Sequence, residues 1–374
     1  MGKRLRTLAA ILTVVLHLPL GASDGSAASL PLDRLNLPPG FAIDTYARVA
    51  GARSMAVLDN WGAILVGTRG DSIYAAIDAD RDHKAERVVE LFSDLKVANG
   101  IDWKDGWFYV AEQHRIVRYR APDLETLAKA EPEVLYDNLP DDRWHGWRYA
   151  RFGPDEKLYV SVGVPCNICR PNGLEGTIIR IAPKGGEPEI VASGIRNSVG
   201  IGFHPRTGDL YFTDNGADHM GDDSPPEEFN HAPSTGLWFG YPNFGGGDHR
   251  TRNFGAGKQP KSPTFPVVTF GAHVAPLGFS FVPGGQLPAA YEGDVVLAQH
   301  GSWNRTVPDG YRLVRVKFNG GSTPVGQETF IDGWLGEDGE VWGRPVDVKP
   351  MADGSLLVSD DHADAIYRIT YTGQ

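Results

Sequence analysis

A unit of short apolar segments separated by polar turns recurs six times, and it constrains the fold more than any other feature of this chain. The units begin at Met55, Asn99, Tyr149, Val199, Leu277 and Val346. Units of roughly 40–50 residues with four strand-length segments are typical of propeller blades. One blade cannot bury both of its faces, so neighbouring blades must pack and the ring must close. The sequence therefore predicts an all-β fold, a six-bladed β-propeller with four antiparallel strands per blade.

The repeated chemistry supports this prediction. Polar turns such as "KDG", "RTGD" and "ADG" precede the second strands, and four units contain an apolar-Arg-apolar segment, "IVRY", "IIRI", "LVRV" or "IYRI". A β-sandwich could use strands of this length but would not require a sixfold period. We expect the fourth unit to continue toward "GLWFGYPN", and Asp218–Pro266 and Trp303–Trp342 to form long loops on one face.

The start of the chain reads as an export signal. Three basic residues precede an apolar run from Leu8 to about Leu20, and small residues follow that run. A membrane anchor is less favoured, because the run is short and is broken by His17 and Pro19. We predict a signal peptide over residues 1–28, with cleavage approximate, and a single propeller domain over 29–374 without a membrane span. The mature chain is then periplasmic or secreted.

The charge balance excludes one class of partner. The net charge is −11, and the first 28 residues hold three basic side chains and one acidic one, so their removal would leave −13. An acidic chain without a basic cluster is a poor candidate for binding nucleic acid. Small neutral substrates or soluble partners fit better.

The only two cysteines are Cys166 and Cys169, in "GVPCNICRPNG". A zinc site would need a second ligand pair, and c-type haem attachment would need His after Cys169, where Arg170 stands. A thioredoxin-like redox pair would need a βαβ context, which is missing here. The favoured interpretation is a disulfide that closes a short loop in an oxidising compartment.

Chemically capable residues fall at the blade ends, where a propeller's loops converge on its central channel. They are His145, the Arg196–Asn197 pair, the segment Asp214–Asp218, and Arg305 and Arg344. Taken singly, each has an ordinary structural explanation: a packed imidazole, an arginine tethering carbonyl groups, or an aspartate capping a turn. Together they would form an anion-binding pocket that contains a base.

Several segments carry a resemblance to a known family. "GIRNSVGIGF", "HGSWNRTVPDGY" and "WGRPVDV" are the most specific of them. Over essentially the whole mature chain, the sequence resembles the soluble quinoprotein sugar dehydrogenases, the glucose/sorbosone dehydrogenase family, and most closely the sorbosone dehydrogenase branch. The resemblance implies a six-bladed propeller with pyrroloquinoline quinone (PQQ) on its axis and a Ca²⁺ ion on that cofactor.

The resemblance also implies residue roles. His145 matches the family's catalytic base, which takes the proton of a substrate hydroxyl. Arg196 and Asn197 match an Arg-Asn pair that contacts the quinone, and Arg344 matches an arginine that reaches the quinone or substrate. Arg305 takes the place of a basic residue on a cofactor carboxylate.

The metal ligands and one departure follow from the same resemblance. Gly216 and Ala217 fall where two main-chain carbonyl groups bind Ca²⁺, and carbonyl oxygen suits this hard cation. The glucose-oxidising members orient their catalytic histidine with an aspartate, but Val164 stands at that position here. The sequence therefore leaves the partner that orients His145 unidentified.

The expected function is PQQ-dependent oxidation of a sugar or sugar aldehyde, with electrons passed to an external acceptor such as a cytochrome. One alternative is a metal-dependent, lactonase-type propeller hydrolase. That site needs carboxylate side chains converging on a metal, and this sequence instead places arginine at several channel positions. The other alternative is a non-catalytic propeller that binds a partner, since the fold alone does not determine function.

Overall fold

Six antiparallel sheets of four strands form the core of the computed structural model, which describes residues 29–373. The strands of blades one to three are Met55–Leu58, Ala63–Val66, Ile73–Ile77 and Arg87–Phe92; Gly100–Lys104, Trp107–Ala111, Ile116–Arg120 and Glu133–Tyr136; and Ala150–Phe152, Leu158–Val162, Thr177–Ile181 and Glu189–Ser193. The strands of blades four to six are Ile201–Phe203, Leu210–Asp214, Glu227–Ala232 and Val268–Phe270; Pro276–Phe281, Val295–Gln299, Arg312–Lys317 and Gly326–Ile331; and Pro345–Pro350, Leu356–Asp360, Ala365–Tyr371 and Phe41–Arg48. The predicted six-bladed propeller is confirmed.

The ring closes through both ends of the described chain. The first strand of every blade contacts the first strands of the two neighbouring blades, including Pro345–Pro350 of blade six against Met55–Leu58 of blade one. The outer strand of blade six comes from near the N-terminus: Phe41–Arg48 pairs antiparallel with Ala365–Tyr371. A closed ring of this kind leaves only short strand edges, which the neighbouring blades protect.

The apolar core lies between successive blades. Leu65 of blade one packs in the same buried cluster as Ile101 and Phe108 of blade two. A corresponding cluster joins Leu357 of blade six to Ile64 of blade one. Because each cluster draws side chains from two blades, no blade is stable without its neighbours, as the repeat pattern requires.

The arginine that recurs in the third strands has a structural explanation. In three blades it lies opposite a glutamate of the outer strand and forms an ion pair with it. The pairs are Arg118–Glu133 at 2.8 Å, Arg180–Glu189 at 2.8 Å and Arg315–Glu328 at 3.2 Å. Partly exposed pairs of this kind contribute about 0.2–1 kcal/mol each, so the repeat reflects strand pairing and not a ligand site.

Three expectations about the long segments were wrong. The segment Asp218–Pro266 is not a single loop, because it contains Glu227–Ala232, the third strand of blade four. Leu237–Trp238, in "GLWFGYPN", does not continue blade four but adds in parallel to the outer strand of blade three. The segment Trp303–Trp342 contains the third and outer strands of blade five and is not a single loop. Between the strands of blade four, Phe244–Gly246 and His249–Arg250 form a separate hairpin.

Helical segments are short. They are the 3₁₀ turns Leu32–Arg34, Asp59–Trp61 and Ala289–Tyr291 and the α-helical turn Leu124–Leu127. Across residues 29–373, no helix has the length and apolarity needed to span a bilayer. The predicted signal peptide, residues 1–28, lies outside the described residues.

Candidate active site

A cavity of about 440 Å³ opens where the blade-end loops meet. Five of the seven residues selected from the sequence line it: His145, Arg196, Asn197, Gly216 and Arg344. Each of the five stands just before the first strand of a blade or between a second and a third strand. The topology therefore explains why residues nearly 200 positions apart in the chain share one site.

His145 is buried at this cavity, with 5% of its surface exposed. Its ring lies between two hydrogen-bond partners: Nδ1 is 2.8 Å from the carbonyl oxygen of Val164, and the indole N–H of Trp144 donates to Nε2 at 3.0 Å. A carbonyl only accepts and an indole only donates, so the ring carries its proton on Nδ1. Burial, with the nearby Arg196 guanidinium, lowers the pKa of His145 well below its usual 6.5. The Nε2 lone pair is consequently available at neutral pH.

The main chain of blade three orients this imidazole. The carbonyl of Val164 takes the place of the side-chain carboxylate expected from the resemblance, and the Val164 N–H donates to the carbonyl of Arg196 at 3.0 Å. Gly163 lies directly against the base, since a Cβ there would stand 2.6 Å from the His145 Cβ. A neutral carbonyl fixes the ring and its tautomer, but it stabilises an imidazolium less than a carboxylate does.

Arg53 presents an unused donor at the cavity. Only 1% of its surface is exposed; its Nε donates to Asn99 Oδ1 at 2.9 Å and its Nη1 pairs with Asp361 Oδ2 at 2.5 Å. Its Nη2 is buried and has no partner within the described chain. A buried donor without an acceptor costs about 1–3 kcal/mol, so an anionic ligand in this cavity would relieve that cost.

Two further arginines add positive charge. Arg344 donates to the carbonyl groups of His300 at 3.0 Å and Gly301 at 2.7 Å, which holds its guanidinium over the cavity. Arg69 is exposed at the mouth, with its guanidinium carbon 4.2 Å from the ring centre of Trp147. The charge of the nearby Arg53 lowers the pKa of Arg69 to about 9, so Arg69 remains protonated at neutral pH.

Arg196 is held by the disulfide loop. Cys166 and Cys169 are bonded to each other, as the sequence favoured. Between them, Asn167 accepts from Arg196 Nε through its carbonyl oxygen at 2.9 Å and from Nη2 through its side-chain oxygen at 3.0 Å. Arg196 Nη2 also pairs with Asp218 Oδ2 at 2.7 Å. The loop thus positions the arginine, and Asp218 neutralises part of its charge.

Buried carboxyl groups lie behind the Arg-Asn pair. Both oxygens of Asp214 accept main-chain N–H groups, from Asn197 at 2.6 Å and from Arg196 at 2.8 Å, while burial raises the pKa of Asp214 to about 6. Glu227 accepts the N–H of Gly216 at 2.7 Å, and burial raises its pKa to about 8. Glu227 is therefore protonated at neutral pH and does not cancel the positive charge of the cavity.

Two residues selected from the sequence do not line the cavity. Ala217 is fully buried, and its N–H donates to the carbonyl of Gly245 at 2.7 Å. Arg305 turns toward the loop from blade four, where it donates to the carbonyl of Asp222 at 2.5 Å and lies 3.4 Å from the carboxylate of Asp223. The structure does not bring Arg305 together with the other arginines.

The sequence analysis missed Arg53, Arg69 and His300. His300 follows the second strand of blade five, donates from Nε2 to Asp361 Oδ1 at 2.7 Å, and has its pKa lowered to about 4 by burial. No motif marks Arg53 or Arg69, and His300 was not selected although it begins the segment "HGSWNRTVPDGY". Their signal is positional, because each stands before a first strand or after a second strand, as the other cavity residues do.

The chain is similar in sequence to an uncharacterised protein of Borreliella burgdorferi. The two are 31% identical over 351 residues, which are 90% of this chain and 91% of the relative. A family model described as TrAA12-like matches residues 250–372.

Solved structures of similar shape include three sugar-oxidising or carbohydrate-active proteins. The holo PQQ domain of pyranose dehydrogenase from Coprinopsis cinerea has a TM-score of 0.74 at 19% identity, covering 90% of this chain and 97% of that one. A calcium structure of a family AA12 carbohydrate-active enzyme from Trichoderma reesei has a TM-score of 0.77 at 20% identity. The match covers 90% of this chain and 97% of that one. The PQQ-bound aldose sugar dehydrogenase from Streptomyces coelicolor has a TM-score of 0.62 at 21% identity. The match covers 90% of this chain and 99% of that one. At these identities the likeness shows the fold.

Proposed function

We propose that this chain belongs to the soluble quinoprotein glucose/sorbosone dehydrogenase family and that it oxidises a sugar or sugar aldehyde with PQQ. The substrate is an aldose or a sorbosone-like compound, and the electrons pass to an external acceptor such as a cytochrome. One observation carries the proposal: a buried neutral imidazole shares a cavity of about 440 Å³ with several guanidinium groups, one of which has an unpaired donor.

The residues present fit a polyanionic cofactor. PQQ is a flat tricarboxylate, and carboxylates are recognised best by the paired N–H groups of arginine. Arg53 offers the buried Nη2 that lacks a partner, and Arg344 and Arg69 add positive charge at the same cavity. The carboxyl groups that could repel such a ligand are paired or protonated, as for Asp218 with Arg196. Arg53, Arg196, Asn197 and Arg344 would therefore hold the cofactor.

A cation would lie beside Gly216. Its carbonyl and that of Ala217 are the proposed ligands, and main-chain oxygen suits Ca²⁺. Glu227 is in contact with Gly216 through the main-chain N–H. A nearby positive charge lowers the pKa of a carboxyl group, so Ca²⁺ would favour the ionised form of Glu227 and gain a further negative neighbour.

His145 is the proposed base. Its Nε2 would accept the proton of the substrate hydroxyl, once the indole N–H of Trp144 releases it. Val164 keeps the ring in the required tautomer throughout, and burial keeps it unprotonated before the reaction. When bound, PQQ supplies the acceptor for the two electrons and the carbon-bound hydrogen.

Reconstitution tests the proposal. The purified chain is loaded with PQQ and Ca²⁺, and dye reduction is followed over a panel of aldoses and sugar aldehydes. We expect turnover that His145→Gln lowers at least about 100-fold, the usual scale for loss of a general base. His249→Gln, an exposed position on the separate hairpin, is the control and should leave turnover unchanged. Dye reduction without PQQ, or an unaffected His145→Gln variant, contradicts the proposal; lactone hydrolysis without PQQ would favour the hydrolase.

Export is also proposed. Its support is the basic, apolar and small-residue pattern of residues 1–28, which predicts cleavage around Ala22–Ala28. Cell fractionation with mass spectrometry of the N-terminus tests it. A cleaved chain in the periplasm or medium is expected, and an intact chain confined to the cytoplasm contradicts it.

A further inference from the structure

A second cluster of charged groups lies outside the cavity, in the hairpin loop of blade one. This loop joins the third strand, Ile73–Ile77, to the outer strand, Arg87–Phe92, and reads "DADRDHKAE" over residues 78–86. We call it the acidic loop. Its carboxylates stand at loop positions one, three, five and nine and belong to Asp78, Asp80, Asp82 and Glu86.

The four carboxylates converge without a cationic partner. One oxygen of each lies within 4.8 Å of one oxygen of every other. No Lys, Arg or His side chain among residues 29–373 forms an ion pair with any of them. The one arginine of the loop, Arg81, points elsewhere, since it donates to the carbonyl groups of Asp59 at 2.5 Å and Asn60 at 3.1 Å. Main-chain N–H groups donate to one oxygen each of Asp80, Asp82 and Glu86, which leaves the other oxygens of these carboxylates for a cation.

The buried member of the cluster has an unsatisfied oxygen. Asp78 is 3% exposed, and its Oδ1 is buried without any hydrogen-bond partner in the described chain. Its Oδ2 accepts the N–H of His83 at 3.1 Å, and its own N–H donates to the carbonyl of Gly62 at 2.8 Å, so the residue is fixed in place. A buried carboxyl oxygen held in this way, with no hydrogen-bond donor, is the arrangement that a bound cation satisfies.

The remaining features of the loop agree with a cation. His83, at the sixth position, has φ of 70°, in the left-handed region that glycine occupies at the sixth position of a helix–loop–helix calcium loop. The next residue, Lys84, stands at the seventh position, where such loops supply a main-chain carbonyl.

We propose that the acidic loop of blade one binds a Ca²⁺ ion through the side chains of Asp78, Asp80, Asp82 and Glu86. A set of several carboxylate oxygens favours Ca²⁺, which accepts six to eight oxygen ligands, over Mg²⁺, which requires a strict octahedron. Val89 stands at the twelfth position, where the stronger loops have a bidentate glutamate. The affinity is therefore of the weaker kind, with a dissociation constant on the order of 10⁻⁴ to 10⁻³ M.

Calorimetric titration of the quinone-free protein tests the site. Ca²⁺ is titrated into the wild-type chain and into the double variant Asp80→Asn/Asp82→Asn, which removes two exposed carboxylates. The control is Asp94→Asn/Asp137→Asn, which removes the same charge from exposed positions elsewhere on blades one and two. We expect the loop variant to bind one Ca²⁺ fewer than the wild type and the control to bind the same number as the wild type.

A second readout uses thermal unfolding. At a free Ca²⁺ concentration of 100 times the dissociation constant, the ratio of folded to unfolded protein should rise about 100-fold from this site, and Mg²⁺ should have a smaller effect. The loop variant should lose this increment, and its sugar oxidation with PQQ should be unchanged. Equal Ca²⁺ stoichiometry and equal stabilisation in wild type and loop variant overturn the proposal, whatever the outcome for sugar oxidation.

Discussion

Gly163 offers a test of the proposed base that leaves the imidazole in the protein. An alanine Cβ at this position would stand 2.6 Å from the Cβ of His145 and 2.9 Å from its carbonyl oxygen. Ordinary contacts of a Cβ begin at 3.4 Å, so His145 or the strand end carrying Gly163 must move by about 0.8 Å. The Val164 carbonyl that orients the ring is attached to the same segment, and a shift therefore changes both the position and the direction of Nε2.

The size of the effect follows from the size of the shift. A misplacement of about 1 Å in a reacting group can cost about 100-fold in rate. We expect Gly163→Ala to lower kcat about 10- to 100-fold. PQQ affinity should fall less than kcat, since Arg53 and Arg344 lie on other blades and keep their partners, while the new Cβ comes 3.3 Å from Oδ1 of Asn197 only.

The assay is dye reduction at saturating sugar by the chain loaded with PQQ and Ca²⁺, with the melting temperature and the PQQ dissociation constant measured alongside. Gly326→Ala is the matched control, because a Cβ at Gly326 meets nothing within 4 Å. The control should retain its kcat. A Gly163→Ala variant with wild-type kcat and melting temperature would refute the reasoning, because the reaction would then not depend on where His145 lies.

Three further predictions concern pH and the disulfide. Because the pKa of His145 is lowered, kcat/KM should stay constant as the pH falls through 6.5 and should decline only at lower pH. A decline of kcat/KM centred at pH 6.5 or above contradicts this prediction. Buried His300 has a pKa of about 4 in the folded state against about 6.5 in the unfolded state. As the pH falls, the unfolded state therefore binds a proton first. The free energy of unfolding should drop by up to about 3 kcal/mol between pH 6.5 and 4. Urea unfolding should show a smaller drop for His300→Gln, and an identical drop contradicts the assignment. Reducing the Cys166–Cys169 disulfide should raise the PQQ dissociation constant up to about tenfold, because the loop holds Arg196 through two hydrogen bonds. Fluorescence titration of PQQ measures this change, and an unchanged affinity contradicts the prediction.

The parts of the fold that the sequence reveals are those that are buried. Second strands, such as Ala63–Val66 and Trp107–Ala111, carry apolar runs that follow glycine turns, so the period of six could be read directly. Outer strands carry no such signal. Gly326–Ile331 is largely exposed and reads as polar, and Phe41–Arg48 closes a blade whose other strands lie some 300 residues later in the chain. Strand pairings between residues so far apart in the chain leave no local pattern in the sequence.

Within the candidate site, too, the sequence locates the residues that the repeat pattern marks and misses the others. Residues at blade ends, such as His145 and Arg344, could be placed because the repeat fixes where those ends lie. Arg305 could not be placed, because its direction depends on Asp222 and Asp223 in a long loop with no repeat to guide it. Arg53 was missed because its importance comes from the unpaired Nη2, which exists only once Asn99 and Asp361 have taken its other donors.

Binding of PQQ to the cavity is the most direct test of the account. Equilibrium titration of PQQ into the quinone-free chain, with Ca²⁺ present, should give one site per chain. Arg344→Gln and Arg53→Gln should each weaken it about 10- to 100-fold, the scale of a hydrogen bond to a charged group, provided that their melting temperatures show folded protein. Absence of binding to the wild-type chain, or equal binding by folded Arg344→Gln and Arg53→Gln variants, would contradict a quinone site in this cavity.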